Sequence, residues 1–390
     1  MQQNEIKMLF AFFKSAINGK PASDDALREY SPDSLPALIK VASKHDLAHL
    51  LAEGLKINGL MPEDPAAEKA IFKAIFRYER LKHEYDKICA VLEKAEIPYM
   101  PLKGAIMREY YREPWLRTSS DIDVLVKESD LDRATEILSI ECSYKCGSKG
   151  PHDISLYSAG GVHIELHYDL LEVGRAANAV EVLADVWKTV STRDGHRFFC
   201  EMPDEMFYFY HVSHMAKHFE NGGCGIRSLI DMWMLDGMED ANCKRRDMLL
   251  RRGELLKFAD AARHLTKVWL EDAHHTQLTK DLEDYILQGG TYGDGKNRVT
   301  LQGVKKGGKL RYLISRIILP YEEMKFYYPV VQKCRILTPL MQVRRWCKLI
   351  FCGHLKRSTA EINYSFKITD NKVKDTRKLL DSIGLLQNDN

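Results

Sequence analysis

At Ile97 the apolar residues change their spacing, and that change limits the chain to folds that mix helix and sheet. Upstream, Ile71, Ile75, Tyr78, Leu81, Tyr85, Ile88 and Leu92 recur at helical spacing, with no Gly or Pro between Ala66 and Ala95. The rest of 4–94 is also mostly helical by periodicity. Downstream, short strands are expected at 97–102, 121–127, 153–158, 162–168 and 197–201. A helix between them runs from about Asp130 to Leu138, with Ser129 as its cap. From Pro203 the chain is helical again to about residue 287. Residues 289–308 hold seven glycines, which break any regular element. Helices resume near Lys309, and a last one spans Asp370 to Ile383. The expected fold class is α+β, a small mixed β-sheet core with helical flanks. Its expected divisions are a helical region 1–95, the α/β core 96–202, a helical domain 203–288, and a Gly-rich segment with C-terminal helices over 289–390.

The strand at 121–127 carries the strongest chemical signal. Residues 119–126 read Ser-Ser-Asp-Ile-Asp-Val-Leu-Val. Side chains alternate along a strand, so Asp121 and Asp123 share one face while Ile122 and Val124 share the other. Neighbouring carboxylates repel and need a neutraliser, and for oxygen ligands that is a hard divalent cation such as Mg²⁺. An exposed acidic strand face is the alternative. A third acid stands at Glu165, in a run where His163, Glu165 and His167 share one face and Val162, Ile164 and Leu166 the other. These three polar residues also allow a second reading, a transition-metal hydrolase, although the flanking pattern is that of a strand and not the helical His-Glu-x-x-His of metalloproteases.

Donors for phosphate precede the acids. A short apolar strand closes on Lys103-Gly104 and leads into helix-like sequence from Ile106 to Tyr111. Such a turn lets backbone N–H groups approach a phosphate at a helix start, and Lys103 adds a charge. Arg117, Ser119 and Ser120 add further donors. On the helix after Pro203, His211, His214 and His218 fall on one face with Lys217 close by. That face reads either as a cationic wall toward a triphosphate or as a polar stripe with one or two core histidines. Arg227 and Asp231 are spaced i, i+4 and suited to pair. The tract Lys296 to Arg316 holds seven Lys or Arg and is expected to be a solvated loop, with Tyr292 and Gly293 as candidates for a lid.

Taken together, Leu102-Lys103-Gly104, Arg117-x-x-x-Asp121-x-Asp123-x-Leu125-Val126 and His163-x-Glu165-x-His167 resemble the uncharacterised bacterial nucleotidyltransferases of the DNA polymerase β superfamily. His214-x-x-Lys217-His218, Ile226-Arg227-x-x-x-Asp231, Gln288-Gly289-Gly290-Thr291-Tyr292-Gly293, Arg311-Tyr312-Leu313 and Leu319-Pro320 extend the resemblance over roughly 40–350. It implies a nucleotidyltransferase core that moves an NMP from an NTP to an unidentified acceptor, with two Mg²⁺ ions. Asp121, Asp123 and Glu165 would be catalytic and metal-binding. Lys103, Gly104, Arg117, Ser119, Ser120, His214, Lys217 and His218 would bind the nucleotide. One position departs from the superfamily: Ala105 stands where Ser or Gly usually follows the turn glycine, so a hydroxyl contact falls to Ser119 or Ser120. A nucleotide-binding or regulatory module without catalysis is the alternative that this departure leaves open.

Composition narrows the partners. Net charge is +2 over 390 residues, so bulk charge gives no strong nucleic-acid signature. No stretch approaches the ~20 apolar residues of a membrane span. The start has no basic segment followed by a long apolar run, so no secretion signal is expected. Nine cysteines without a Cys-x-x-Cys point to reduced thiols and a cytoplasmic setting, with Cys142 and Cys146 in packing roles.

Overall fold

The computed structural model describes residues 2–170, 177–291, 293, 297–301, 317–351 and 369–386. The fold is α+β, a five-stranded mixed sheet and a two-stranded one among helices. Helices α1 (Gln3–Asn18), α2 (Asp24–Arg28), α3 (Leu35–Lys44), α4 (Ala48–Ile57) and α5 (Pro65–Lys94) come first. Next are β1 (Tyr99–Pro101), α6 (Gly104–Met107), β2 (Asp121–Val126), α7 (Leu131–Glu141), β3 (Lys145–Lys149), β4 (Asp153–Tyr157) and β5 (His163–His167). Helices α8 (Ala177–Leu183) and α9 (Val186–Thr189) lead to the short strands β6 (Ser191–Thr192) and β7 (Cys200–Glu201). Then α10 (Asp204–Phe219), α11 (Ile226–Asp236), α12 (Cys243–Arg252), α13 (Leu256–Leu270) and α14 (Gln277–Gln288) build a second helical layer. Further helices include Tyr321–Tyr327, Thr338–Phe351 and Asp370–Ser382.

The long helix forms where its apolar stripe predicts, with Asp64 Oδ1 accepting from Ala66 N at 2.9 Å at its start. Ser129 does not cap α7; it lies in a 3-10 turn, Glu128–Asp130, and Asp130 precedes the helix without a side-chain cap. The expected strand at 197–201 shrinks to Cys200–Glu201, and the helix expected over Ile106–Tyr111 spans Gly104–Met107 before a 3-10 turn. Strand β3 carries no sequence signal: Lys-Cys-Gly-Ser-Lys is exposed throughout and holds on by backbone pairing to β4. The eight cysteines among the described residues are free, with Cys142 buried and Cys146 exposed. Of the basic tract 296–316, the description reaches Arg298 and the neutral residues up to 301; its other Lys and Arg, and Tyr292, lie outside it.

Strand order is β1-β2-β5-β4-β3, with β2 and β5 parallel and every other pair antiparallel. A parallel pair needs a crossover, supplied here by α7 and the β3–β4 hairpin. One sheet face, with Ile122, Val124, Val126, Ile164 and Leu166, packs on Leu81, Ile88 and Leu92 of α5 and on Leu131, Ala134 and Leu138 of α7. The other face joins the larger core through Leu125, beside Met100 and Leu102, where buried Tyr208, Phe209, Phe219 and Phe258 gather. Each such side chain contributes roughly 1.5–3 kcal/mol by leaving water.

A buried ion pair ties this second layer to the sheet. Asp231 on α11 is fully buried and does not pair with Arg227, the expected i, i+4 partner. It accepts from Arg117 Nε at 3.0 Å, from Arg117 Nη2 at 2.7 Å and from Tyr111 OH at 2.8 Å. Arg227 turns instead to the Thr118 carbonyl and to Asp46, 3.5 Å away. A buried charge stripped of its partner costs about 3–5 kcal/mol, whereas replacing both partners by apolar groups is close to neutral. Asp231→Ala should lose about that much in urea unfolding, and Arg117→Met combined with Asp231→Leu should recover most of it.

His49 on α4 is buried, with Nε2 2.9 Å from the Leu116 carbonyl. Burial pushes its pKa down from the ordinary 6.5 to about 4. The unfolded chain therefore binds a proton near pH 6.5 that the folded chain refuses until about pH 4. Stability should fall by roughly 3 kcal/mol across that window. His49→Gln should remove this part of the pH slope in denaturant titrations between pH 7 and 4.

Candidate active site

Parallel pairing of β2 with β5 sets Asp121 against His163, Asp123 against Glu165 and Leu125 against His167. All three acids thus meet on the sheet face that looks toward α10. Among the described residues, two groups have ligand atoms all within 4.8 Å of one another: Asp121, His163 and Glu165, and Asp123, Glu165 and His167. Glu165 belongs to both, and each group holds one histidine.

The two aspartates live in different fields. Asp123 is 5% exposed, yet Lys103 Nζ lies 2.9 Å and His167 Nε2 3.0 Å from its Oδ1. Burial works against its charge, but Lys103 and His167 outweigh it and hold the carboxyl well below the usual range. Lys103 is held above its ordinary value in return: burial opposes its charge and Asp123 favours it. His167 is also raised, burial being overcome by its bonds to Asp123 and to Glu165 Oε2 at 3.3 Å. Among the described residues, Asp121 has no such cation at contact distance. Burial, then repulsion from Asp123 and Glu165, pushes its pKa up, and Ser120 Oγ donates to it at 3.2 Å.

Lys103 reaches Asp123 through an unusual backbone. Its φ of 43° and ψ of −113° lie where L-residues are rarely found, at a cost on the order of 1–3 kcal/mol. The turn swings the chain from β1 into α6, so that the strand exit, the lysine and Gly104 crowd together. The Ala105 N–H there bonds to the Leu102 carbonyl at 3.2 Å. A Cβ on Gly104 would come within 3.1 Å of Ser119 Cβ and 3.2 Å of its Oγ. The Ser119 hydroxyl therefore lies against the turn that has no hydroxyl at 105, and it accepts from Arg108 Nη2 at 2.7 Å.

Across from the acids stands α10, and a cavity of about 400 Å³ separates the two. Lys103, Gly104, Arg117, Ser119, Ser120, Asp121, Asp123 and Glu165 line one side; His214, Lys217 and His218 line the other. Every residue expected to bind metal or nucleotide in the nucleotidyltransferase reading thus borders the same space, whereas His163 and His167 do not line it. His163 Nδ1 is 3.8 Å from Glu165 Oε1, and its ring stacks on Tyr157 with centroids 4.9 Å apart. His211 is the core histidine of the helix, bonded to the Ser228 carbonyl at 2.9 Å. His214 and His218 meet each other, Nε2 to Nε2, at 3.2 Å. Burial, then Lys103, His218 and Lys217, holds His214 well below 6.5. Arg117 reaches the cavity, but its guanidinium is already bonded to Asp231.

Sequence reasoning missed Tyr210, His152 and Thr291, which also line the cavity. Tyr210 lies four residues before His214 and so on its face, a signal that helical spacing did offer. His152 sits in the turn before β4 and comes beside His167, centroids 5.6 Å apart, through strand pairing that no local pattern reveals. No helix of the described residues is long and apolar enough to cross a membrane.

No curated protein matches the chain, and neither does any solved structure. A family described as "Uncharacterised nucleotidyltransferase" does match, over residues 31–271, from the turn before α3 through the whole sheet to the end of α13. With well over half of its 390 residues matched, including all three carboxylates and the helical wall opposite, the chain belongs to this nucleotidyltransferase family.

Proposed function

We propose that the protein moves a nucleoside monophosphate from an NTP to an acceptor hydroxyl, with Mg²⁺ held by Asp121, Asp123 and Glu165. The observation that carries this reading is the β2–β5 pairing, which floors a cavity with three carboxylates opposite a wall bearing Lys217 and two histidines. The resemblance to the DNA polymerase β superfamily supports it. So does the donor set: each aspartate has an oxygen within 4.8 Å of one on Glu165, and the repulsion felt by Asp121 is what a hard dication relieves. Two ligand groups sharing Glu165 suit two ions. When bound, the metal would polarise the phosphate oxygens and lower the pKa of the acceptor hydroxyl.

The chain's own side chains have the following tasks in this reading. Lys103 and the Gly104 turn, with Ser119 and Ser120, hold the triphosphate from the sheet side, and Arg117, bonded to Asp231, lends its field from behind them. Lys217 faces it from α10 and balances charge as the transition state forms, while His214 and His218 beside it offer ring dipoles. The acceptor oxygen bonds to the α-phosphorus while the bond from that phosphorus to the oxygen bridging to the β-phosphate breaks. Pyrophosphate leaves with the bridging oxygen, and the Glu165 carboxylate takes the acceptor's proton. A zinc hydrolase built on His163, Glu165 and His167 fits less well, because the two histidines fall in different ligand groups and His167 is bonded to Asp123. The scattered cysteines support a reducing, cytoplasmic setting.

The test is incubation with α-labelled NTPs and cell extract, following which fraction takes up label and whether pyrophosphate is released. ATP and Mg²⁺ binding by calorimetry without pyrophosphate release in any extract would replace the reading with a nucleotide-binding module. Removing divalent metal with EDTA should abolish labelling, and excess Mg²⁺ should restore it.

The two aspartates should separate activity from stability. Asp121→Asn and Asp123→Asn should each lower labelling by at least a hundredfold. In thermal unfolding Asp121→Asn should be more stable than the parent, because it removes a repelled charge. Asp123→Asn should be less stable by about 3–5 kcal/mol, because it leaves Lys103 without its contact counter-charge and His167 with Glu165 alone.

A further inference from the structure

A second cavity, of about 750 Å³, adjoins the first and shares Ser120, Arg227 and Thr291 with it. Its charged lining is the reverse of the acidic floor. Among the described residues, Lys44, Arg77, Arg80 and Arg227 border it, against the single carboxylate of Asp46. Asp46 is shared: Arg77 Nη1 lies 2.7 Å and Arg227 Nη2 3.5 Å from its Oδ2. Lys44 and Arg80 bond to backbone carbonyls of Gln288 and Gly160, which carry no charge. Among the described residues, four cations around one anion place an excess of positive charge beside the acidic site.

The outer face of α5 leads into this cavity. Phe72 and Phe76 are 61% and 65% exposed, a large apolar area for water to cover. They continue at i, i+4, i+8 to Arg80, whose guanidinium lies 5.8 Å from the Phe76 ring centre. Next to this stripe, Lys69, Lys73 and Arg77 repeat the same spacing, and both lysines are exposed. Glu68 and Glu79 lie beyond the phenylalanines, away from the lysines. Flat rings beside a row of cations, over about 17 Å of helix, combine base stacking with phosphate neutralisation. An acidic peptide would use the cations but gain little from the rings.

We propose that α5 and the basic cavity hold a single strand of nucleic acid, stacked on Phe72 and Phe76, whose terminal hydroxyl enters the acidic site as acceptor. This rests on the transfer reading above and names its substrate class. In the step, the strand's terminal oxygen bonds to the α-phosphorus of the NTP, the bond to the bridging oxygen breaks, and pyrophosphate leaves. The strand grows by one nucleotide, its proton passing to Glu165. The whole-chain charge of +2 does not reveal the local row of Lys69, Lys73, Arg77 and Arg80 on one side of α5.

The test uses the full chain and a dye-labelled single-stranded RNA of about ten nucleotides, read by fluorescence anisotropy at about 0.1 M salt. Saturable binding is expected, weakened at least tenfold in Phe72→Ala/Phe76→Ala and in Lys69→Glu/Lys73→Glu. These positions are exposed, so both variants should melt with the parent. The lysine variant should also show a shallower dependence of affinity on salt. Asp123→Asn, if folded, should still bind. No saturable binding would overturn the proposal, as would equal binding by both double variants or equal competition by a polyglutamate peptide. Labelled NTP separates the two readings. Binding with the expected losses but no extension of the RNA overturns the strand's role as acceptor, and the extract labelling above then decides the transfer reading by itself. Label on a different acceptor, at full rate in both double variants, upholds transfer and overturns the platform.

Discussion

In the register of β2 against β5, Asp123 sits opposite Glu165, and a slip of one residue would carry the acids to the apolar face. Ile122, Val124, Ile164 and Leu166 prevent that slip, because each is buried against α5 and α7. The hydrophobic side of the sheet thus fixes the polar side. Three carboxylates would not gather on their own. The burial of the opposite face holds them together, and Lys103 and His167 neutralise part of their charge. The lysine that does so stands at a backbone position with positive φ, a strain that the packing around the turn has to hold.

The second helical layer faces the sheet across the cavity and is fastened by the Arg117–Asp231 pair. Tyr111 and Arg117, from the segment between α6 and β2, converge on one buried carboxylate of α11. The same segment leads directly into Ser119, Ser120 and Asp121. Anything that moves α11 relative to the sheet must therefore break this pair or pull on the start of β2. The width of the cavity and the position of its acids are mechanically linked.

The parts of the fold that could be read from the chain are those where burial has a period. The α5 stripe and the alternation around Asp121 and Glu165 both follow directly from one-sided burial. Strand β3 could not be read, because its residues are exposed and only hydrogen bonding to β4 makes it a strand. Ser129 misled because a serine before an apolar run looks like a cap, whereas here an extra 3-10 turn intervenes. In the site, the members of the three-acid group were legible as residue types on strands. Their mutual register was not, since it depends on a crossover of more than thirty residues between β2 and β5. Asp231 was legible as a helix residue spaced for Arg227, but burial selected the more distant Arg117. His152 and the cleft around Asp46 arise from residues far apart in the chain, and no spacing announces them.

The contact between His214 and His218 sets the electrical character of the α10 wall. A hydrogen bond between two ring nitrogens needs one N–H and one lone pair, so the two rings cannot both be cations while it lasts. His214, held far below 6.5, is the neutral partner near pH 7. Four basic side chains on one helix therefore supply far fewer than four charges. His211 is spent on a carbonyl, His214 offers a dipole, and the firm charge is that of Lys217. On the transfer reading proposed above, such a wall would orient a polyanion without holding it tightly.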